Sequence, residues 1–382
     1  MLSTKRPQFI QRIKNAFKTH RVVALLGPRQ CGKTTLSQLY TKEERLNSSV
    51  HVFDLEDATD LAILENPKTA LESLKGLIIL DEVQRAAEIF PVLRVLVDQH
   101  KVDQKFLILG SASRDLLRQS SETLAGRIAY IELTPFTMSE VNDQDRLWLR
   151  GGFPNSYLAK SIEDSVYWRK QYITTFLERD IPNLGIRIAP IALRRFWMML
   201  THYHGQTFNA SEIGQSLGVA DTTVRNYLDI LTGTFMVRQL IPWFENIKKR
   251  QVKKPKIYFR DSGIYHTLSE ITDKHTLLHN PRLGASWEGF ALEEIIRIHQ
   301  VMPEECFFWG IHGQAELDLF IIKNGKRLGF EFKYNDAPKK TKSMELAIDM
   351  LKLDALQVIY PGNKDYNLGP KISVKSVNYS LL

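Results

Sequence analysis

The residues best placed to do chemistry lie near the N-terminus. Gly27-Pro28-Arg29-Gln30-Cys31-Gly32-Lys33-Thr34 sets two glycines, a lysine and a threonine at the spacing GxxxxGK[ST]. Glycines let successive backbone N–H groups curl around an anion, and a helix N-terminus behind them favours negative charge. Lys33 then reaches the β- and γ-phosphates of a nucleotide, and the Thr34 hydroxyl takes a position on Mg2+. The expected cofactor contacts run from Gly27 through Pro28, Arg29, Gln30, Cys31, Gly32, Lys33 and Thr34 to Thr35. Asp81-Glu82 follows directly after Leu77-Ile78-Ile79-Leu80. Two carboxylates at the end of so apolar a run are costly to bury without a cation. Asp81 is expected to hold Mg2+ through water, and Glu82 to polarise an attacking water.

A second acidic constellation lies in the C-terminal third. Glu316–Lys323 reads as a strand, Asn324-Gly325 as a type I′ turn, and Lys326–Tyr334 as the returning strand. A two-residue loop pairs Lys323 with Lys326, which sets Asp318 against Glu331 and Glu316 against Lys333. Leu317, Leu319 and Ile321 then share the buried face with Phe332, Phe330 and Leu328. Opposed carboxylates repel unless a cation lies between them, and oxygen-rich sites suit Mg2+ or Mn2+. Upstream, Ser286–His299 reads as a helix. Glu288 lies on its apolar stripe with Ala291, Leu292, Ile295 and Ile298, whereas Glu293 and Arg297 lie off it and read as solvated. The alternative is a Glu316–Lys333 surface pair beside unrelated acids.

The N-terminal site needs a parallel sheet to carry it. Arg21–Leu26 is a short apolar run leading into the glycine loop, and a helical stretch follows from Thr35 to Tyr40. His51–Leu55, Phe106–Gly110 and Ile128–Leu133 supply further strands, with helical stretches between, as in a doubly wound α/β sheet. If the Phe106–Gly110 strand lies between the loop strand and the Asp81 strand, Ser111 stands beside the γ-phosphate. There it either senses phosphate or orients water; its other reading is a helix N-cap. Arg127, after Leu124-Ala125-Gly126, is either a surface arginine or a group that stabilises transition-state charge, in cis or from a neighbouring subunit.

Gly151-Gly152-Phe153-Pro154 then punctuates the chain. Glu163–Arg179 reads as a helix whose aromatics Tyr167, Trp168, Tyr172 and Phe176 form a core, consistent with a helical lid. Asn209–Leu231 reads as helix-turn-helix, with Ala210 and Ile213 inward, Leu217-Gly218-Val219 as the turn, and Val224, Leu228 and Leu231 as the second stripe. Phe235–Pro242 and Lys256–Arg260 read as two strands around the basic segment Lys248-Lys249-Arg250-Gln251-Val252-Lys253-Lys254. That is a winged-helix pattern. It serves either DNA, through the second helix and the basic wing, or an internal lid or protein dock.

Asp81-Glu82 with an interposed polar-tipped strand resembles the AAA-type and related P-loop ATPases that carry a catalytic glutamate. No Asn-Lys-x-Asp guanine motif is present, which points away from GTP. Glu288, Asp318 and Glu331-Phe332-Lys333 resemble the PD-(D/E)xK, restriction-endonuclease-like fold. In that fold the acids hold metal and the lysine, here Lys333, positions or activates water. Glu316-Leu317 replaces the proline that often precedes the metal-holding aspartate. The ordered set, with Gly152-Phe153-Pro154 and Glu178-Arg179-Asp180 between these motifs, resembles the prokaryotic AAA-type ATPases with an uncharacterised C-terminal region. This implies ATP binding and a division into an ATPase domain (1–150), a helical lid (151–190), a winged helix (191–270) and a nuclease-like domain (271–382).

The composition suits such a chain. It has 382 residues, 43% of them apolar, and its 51 Lys+Arg exceed its 43 Asp+Glu to give a net charge of +8. That excess leans toward a polyanionic partner and equally fits a basic, solvated surface. Two cysteines without metal-type neighbours form no disulfide framework. Charges interrupt every long apolar run, so a cytoplasmic protein without membrane contact is expected. The AAA-type resemblance leaves room for a homo-oligomer.

Overall fold

The computed structural model describes residues 5–44, 49–86, 88–99, 103–113, 124–244, 252–311 and 313–377. Contacts divide the chain into two units. The first takes Met1–Pro135, Phe176–Ile188 and Gly233–Phe235, and the second takes Phe136–Thr175, Ala189–Thr232 and Met236–Leu382.

The first unit is built on five parallel strands: β1 (Val22–Leu26), β2 (Val50–Asp54), β3 (Gly76–Asp81), β4 (Gln104–Gly110) and β5 (Ile128–Glu132). Their order is β2-β3-β4-β1-β5. β4 therefore separates β1 from β3, the arrangement that brings Ser111 toward the glycine loop. Every residue of β1 is buried, as expected for a central parallel strand covered on both faces. Helices Lys33–Glu44 and Ile89–Gln99 belong to this unit, and the second buries Ile89, Phe90, Leu93, Leu96 and Val97. This is a P-loop NTPase sheet.

The second unit holds two sheets. Helices Ala210–Leu217 and Asp221–Gly233 are joined through Gly218, and bury Ala210, Ile213, Val224, Leu228 and Leu231 as the pattern required. β6 (Gln206–Thr207), β7 (Val237–Leu240) and β8 (Lys256–Phe259) form an antiparallel sheet in the order β6-β8-β7. Of the basic segment expected to follow β7, Lys248, Lys249, Arg250 and Gln251 lie outside the described residues.

The larger sheet comprises β9 (Cys306–Ile311), β10 (Ala315–Lys323), β11 (Lys326–Phe332), β12 (Ala355–Tyr360), β13 (Tyr366–Gly369) and β14 (Ile372–Ser376). Its order is β13-β14-β12-β11-β10-β9. The turn at Asn324-Gly325 sets Lys323 opposite Lys326, as its length dictates. One expectation fails at the other end of β10. Its pairing with β9 shifts register between Leu317 and Phe320. Leu317 consequently packs in the core with helix Lys342–Leu351, while Leu319 and Ile321 pack with Phe330, Phe332 and helix Leu283–His299. A bulge at this point breaks strict alternation and re-aims Asp318.

Helix Leu283–His299 is buried nearly all round, so Glu293 and Arg297 are not solvated. Glu293, 2% exposed, faces Arg238, Arg260 and Arg297. Burial opposes its charge, but these arginines outweigh that and pull the carboxyl down to about 2. The helix also crosses His204 closely. A Cβ on Gly289 would lie 2.1 Å from His204 Nε2. The ring has no room to retreat, because Phe259 N donates to its Nδ1 at 3.0 Å and Tyr265 stacks on it at 4.2 Å. Among the described residues no helix is long and apolar enough to cross a membrane. Gly289→Ala is expected to lower the denaturant midpoint by the equivalent of about 1–3 kcal/mol, the usual cost of overpacking. An unchanged midpoint would mean the helix does not approach His204 this closely.

Candidate functional site

The glycine loop leaves β1 at Leu26 and enters helix Lys33–Glu44. It passes through left-handed conformations at Gln30 (φ 62°) and Gly32 (φ 100°). Gly27 must lack a side chain, because a Cβ there would lie 2.1 Å from Leu133 O. Cys31 faces inward, and burial pushes its thiol up, so it packs without being reactive. Arg6, which the sequence reading did not single out, braces the loop from beneath by donating to Cys31 O at 3.2 Å and Thr134 O at 2.8 Å.

The expected nucleotide groups converge. Lys33 Nζ donates to Gly27 O at 3.0 Å and Pro28 O at 3.1 Å, so its ammonium lies folded over the loop. Thr34 Oγ1 donates to Asp81 Oδ2 at 2.8 Å. Burial pushes the Asp81 carboxyl up, and the Thr34 hydroxyl opposes that rise. Glu82 sits in a left-handed turn at the tip of β3 (φ 53°) and accepts from Ser111 Oγ at 3.2 Å and from Gln84 Nε2. Gln84 Nε2 also donates to Ser111 Oγ at 3.0 Å. Ser111 thus faces the acid. The oxygen set of Thr34 and Asp81 beside a lysine ammonium fits a hard divalent cation.

Arg29 has a different setting. It donates to Asp180 at 2.6 Å and Glu56 at 2.7 Å. Asp180 closes the π-helical turn Phe176–Asp180, which returns to the first unit from far along the chain. Glu178-Arg179-Asp180 was visible as a motif, but only the fold pairs it with the loop. Arg127 is not brought to this site. It precedes β5, whose Ile128 pairs with Val22 while Glu132 pairs with Leu26 at the loop end. The strand separates Arg127 from the loop by roughly 16 Å at 3.3 Å per residue, and the arginine binds Asp98 at 2.6 Å instead. A role in cis is therefore corrected: parallel register puts it at the opposite end of the sheet.

In the second unit, Glu288, Asp318, Glu331 and Lys333 do come together. Lys333 Nζ lies 2.7 Å from Glu331 and 3.7 Å from Asp318, and Phe332 N donates to Asp318 Oδ2 at 3.1 Å. Burial, then the Asp318 charge, pushes both Glu288 and Glu331 well up; Lys256 opposes this at Glu288 and Lys333 at Glu331. The alternative reading, a Glu316–Lys333 surface pair, is not found among the ion pairs of the described residues. Glu316 pairs with Lys256, and Lys333 pairs with Glu331. Lys256 and Tyr258 on β8 are the residues the sequence reading missed: Tyr258 OH donates to Glu288 Oε1 at 2.6 Å, and Lys256 stands among the acids. The sequence shows only the polar–apolar alternation of Lys256-Ile257-Tyr258-Phe259; it is the fold that buries the whole strand and so gives both polar tips partners. Among the described residues, no three His, Cys, Asp or Glu side chains are grouped so as to hold a metal. The expected C-terminal Mg2+ or Mn2+ site is thus not supported, and an ammonium stands within the cluster.

Three family descriptions match the chain: "AAA domain" over residues 19–142, "Domain of unknown function (DUF8612)" over 141–275 and "Domain of unknown function (DUF4143)" over 283–379. Among solved structures, the Walker-type ATPase PABY2304 of Pyrococcus abyssi is 14% identical, with 70% of this chain and 96% of that chain covered and a TM-score of 0.47. AMPPCP-bound DnaA from Aquifex aeolicus is also 14% identical, covering 60% of this chain and 88% of that chain, with a TM-score of 0.32. The assignment of residues 19–142 rests instead on the family match and on the loop, which together make them an AAA-type P-loop ATPase domain. Two curated relatives, Uncharacterized protein Rv2008c of Mycobacterium tuberculosis (strain ATCC 25618 / H37Rv) and Uncharacterized protein Mb2031c of Mycobacterium bovis (strain ATCC BAA-935 / AF2122/97), are each 48% identical over 363 residues, 94% of this chain and 81% of theirs. With nearly half the residues shared over almost its whole length, the chain belongs to the family of these mycobacterial proteins, as a member whose N-terminal third is an AAA-type P-loop ATPase domain.

Proposed function

We propose that the chain binds and hydrolyses Mg2+-ATP at the Gly27–Thr35 loop and that its nucleotide state governs a C-terminal module. The observation that carries this reading is the hydrogen bond from Thr34 to Asp81 at 2.8 Å beside the folded-over Lys33. Thr34 and Asp81 would hold Mg2+, which when bound supplies charge neutralisation between the phosphates. Lys33 is within reach to exchange its two carbonyl acceptors for phosphate oxygens. Glu82, oriented by Ser111 and Gln84, is the base that polarises water, and the same two partners fix where its carboxylate points. Arg29 is occupied by Asp180 and Glu56, so it shapes the loop rather than meeting phosphate directly.

In this reading residues 151–190 are a lid, 191–270 a winged helix and 271–382 a nuclease-like domain. A second reading, an ATP-gated nuclease acting on DNA, is favoured by the convergence of Glu288, Asp318, Glu331 and Lys333. A third keeps the winged helix as a DNA- or protein-binding module beside an inert nuclease fold.

Lys33→Ala is expected to abolish nucleotide binding, because the phosphate charge loses its main cation. Glu82→Gln should bind ATP with ordinary affinity yet turn it over at least a hundredfold more slowly, in line with the loss of a general base. Phosphate release by Glu82→Gln at the wild-type rate sinks the assignment. For the wing, replacing Lys253 and Lys254 by Ala should weaken DNA binding and flatten log K against log[salt] by about 0.9 per lost phosphate contact. An unchanged slope moves the winged helix to a protein-docking or lid role.

A further inference from the structure

We propose that Lys256 is the resident cation of the carboxylate cluster in the second unit, a lock that keeps divalent metal out for as long as the ammonium stays seated. Its Nζ lies 3.8 Å from Glu288 Oε1 and 3.7 Å from Asp318 Oδ1, and it pairs with Glu316. The side chain is 5% exposed, and its ammonium also lies 5.5 Å from the Phe308 ring centroid. Lys256 comes from β8 of the small sheet, whereas Asp318 and Glu316 come from β10 of the large one. The lock is therefore a contact between two sheets, set by tertiary structure and not by the local hairpin.

The charges explain why lysine and metal exclude each other. Oxygen ligands approach Mg2+ or Ca2+ to roughly 2.0–2.6 Å. A cation at that distance from Asp318 and Glu288 would stand within a few ångströms of an ammonium already attracted by the same oxygens. Two positive charges so close in a buried site repel strongly. The remaining groups are taken up in the same way. Lys333 serves Glu331 and Asp318, Tyr258 OH serves Glu288, and Phe332 N serves Asp318. Removing Lys256 would therefore take one cation away from Glu288, Glu316 and Asp318 together, while Tyr258, Lys333 and Phe332 N stay in place. The lock stands on this geometry, and what an unlocked cluster would do to DNA rests on the nuclease reading; metal binding is therefore the readout, separate from cleavage.

The test is binding of Mn2+ to the nucleotide-free full chain, followed by the electron paramagnetic resonance of free Mn2+. Wild type should show no Asp318-dependent Mn2+ binding at concentrations where Lys256→Met binds one equivalent more than wild type, a gain of at least tenfold at this cluster. Lys256→Met/Asp318→Asn should lose that gain, and Lys256→Arg should behave as wild type. An Asp318-dependent Mn2+ site in the wild type, or a folded Lys256→Met that binds no more tightly, overturns the proposal. Amine labelling read by mass spectrometry needs no variant. Lys256 should be protected with or without Mn2+; labelling that rises as Mn2+ is added would show metal displacing the lysine and would also overturn it.

Discussion

Taking an ammonium or a carboxylate out of water costs several kcal/mol unless an opposite charge or a full set of hydrogen bonds meets it. Both units are organised around that cost. In the first, Lys33 lies over two loop carbonyls, Asp81 takes the Thr34 hydroxyl, and Arg29 is divided between Asp180 and Glu56. In the second, Glu293 is met by three arginines, while Glu288 and Asp318 are met by Lys256. Each site is poised because its charges are already paired within the protein, and a ligand must offer better partners than those in place.

The two sites answer that condition differently. At the nucleotide loop the internal partners are weak ones: carbonyl oxygens for a lysine, a hydroxyl for an aspartate. A polyphosphate with its cation competes with them because it sets a full opposite charge against each group where the protein offers only a dipole. At the C-terminal cluster the internal partner is a full charge buried among the acids. No small rearrangement frees those carboxylates. The loop is thus open to ligand exchange while the cluster is held closed, although both were readable as acid-and-lysine constellations.

How much was legible follows from the range of each interaction. The loop, its strand and its helix are contiguous, and Asp81-Glu82 ends an unbroken apolar run, so short-range pattern sufficed. The position of Ser111 needed the strand order, which the apolar runs left conditional and which β4 between β1 and β3 provides. The hairpin register was fixed by Asn324-Gly325 and holds at Lys323–Lys326. What the pattern missed lies across long separations or in broken periodicity. The register shift near Asp318 interrupts alternation without any glycine or proline to mark it. Lys256 meets Asp318 only because two sheets come together. Glu293 looked solvated because helical periodicity assumes one wet face, and helix Leu283–His299 has none over most of its length.

On the proposed function, Thr34 and Asp81 form a cation position that serves a nucleotide. Calorimetric titration of ATP into the full chain, with and without Mg2+, tests it directly when repeated on Thr34→Ala. The account predicts that Mg2+ tightens ATP binding to the wild type at least tenfold and that Thr34→Ala loses most of that gain while still binding metal-free ATP. Equal tightening by Mg2+ in both proteins, or no ATP binding by the wild type, would contradict it.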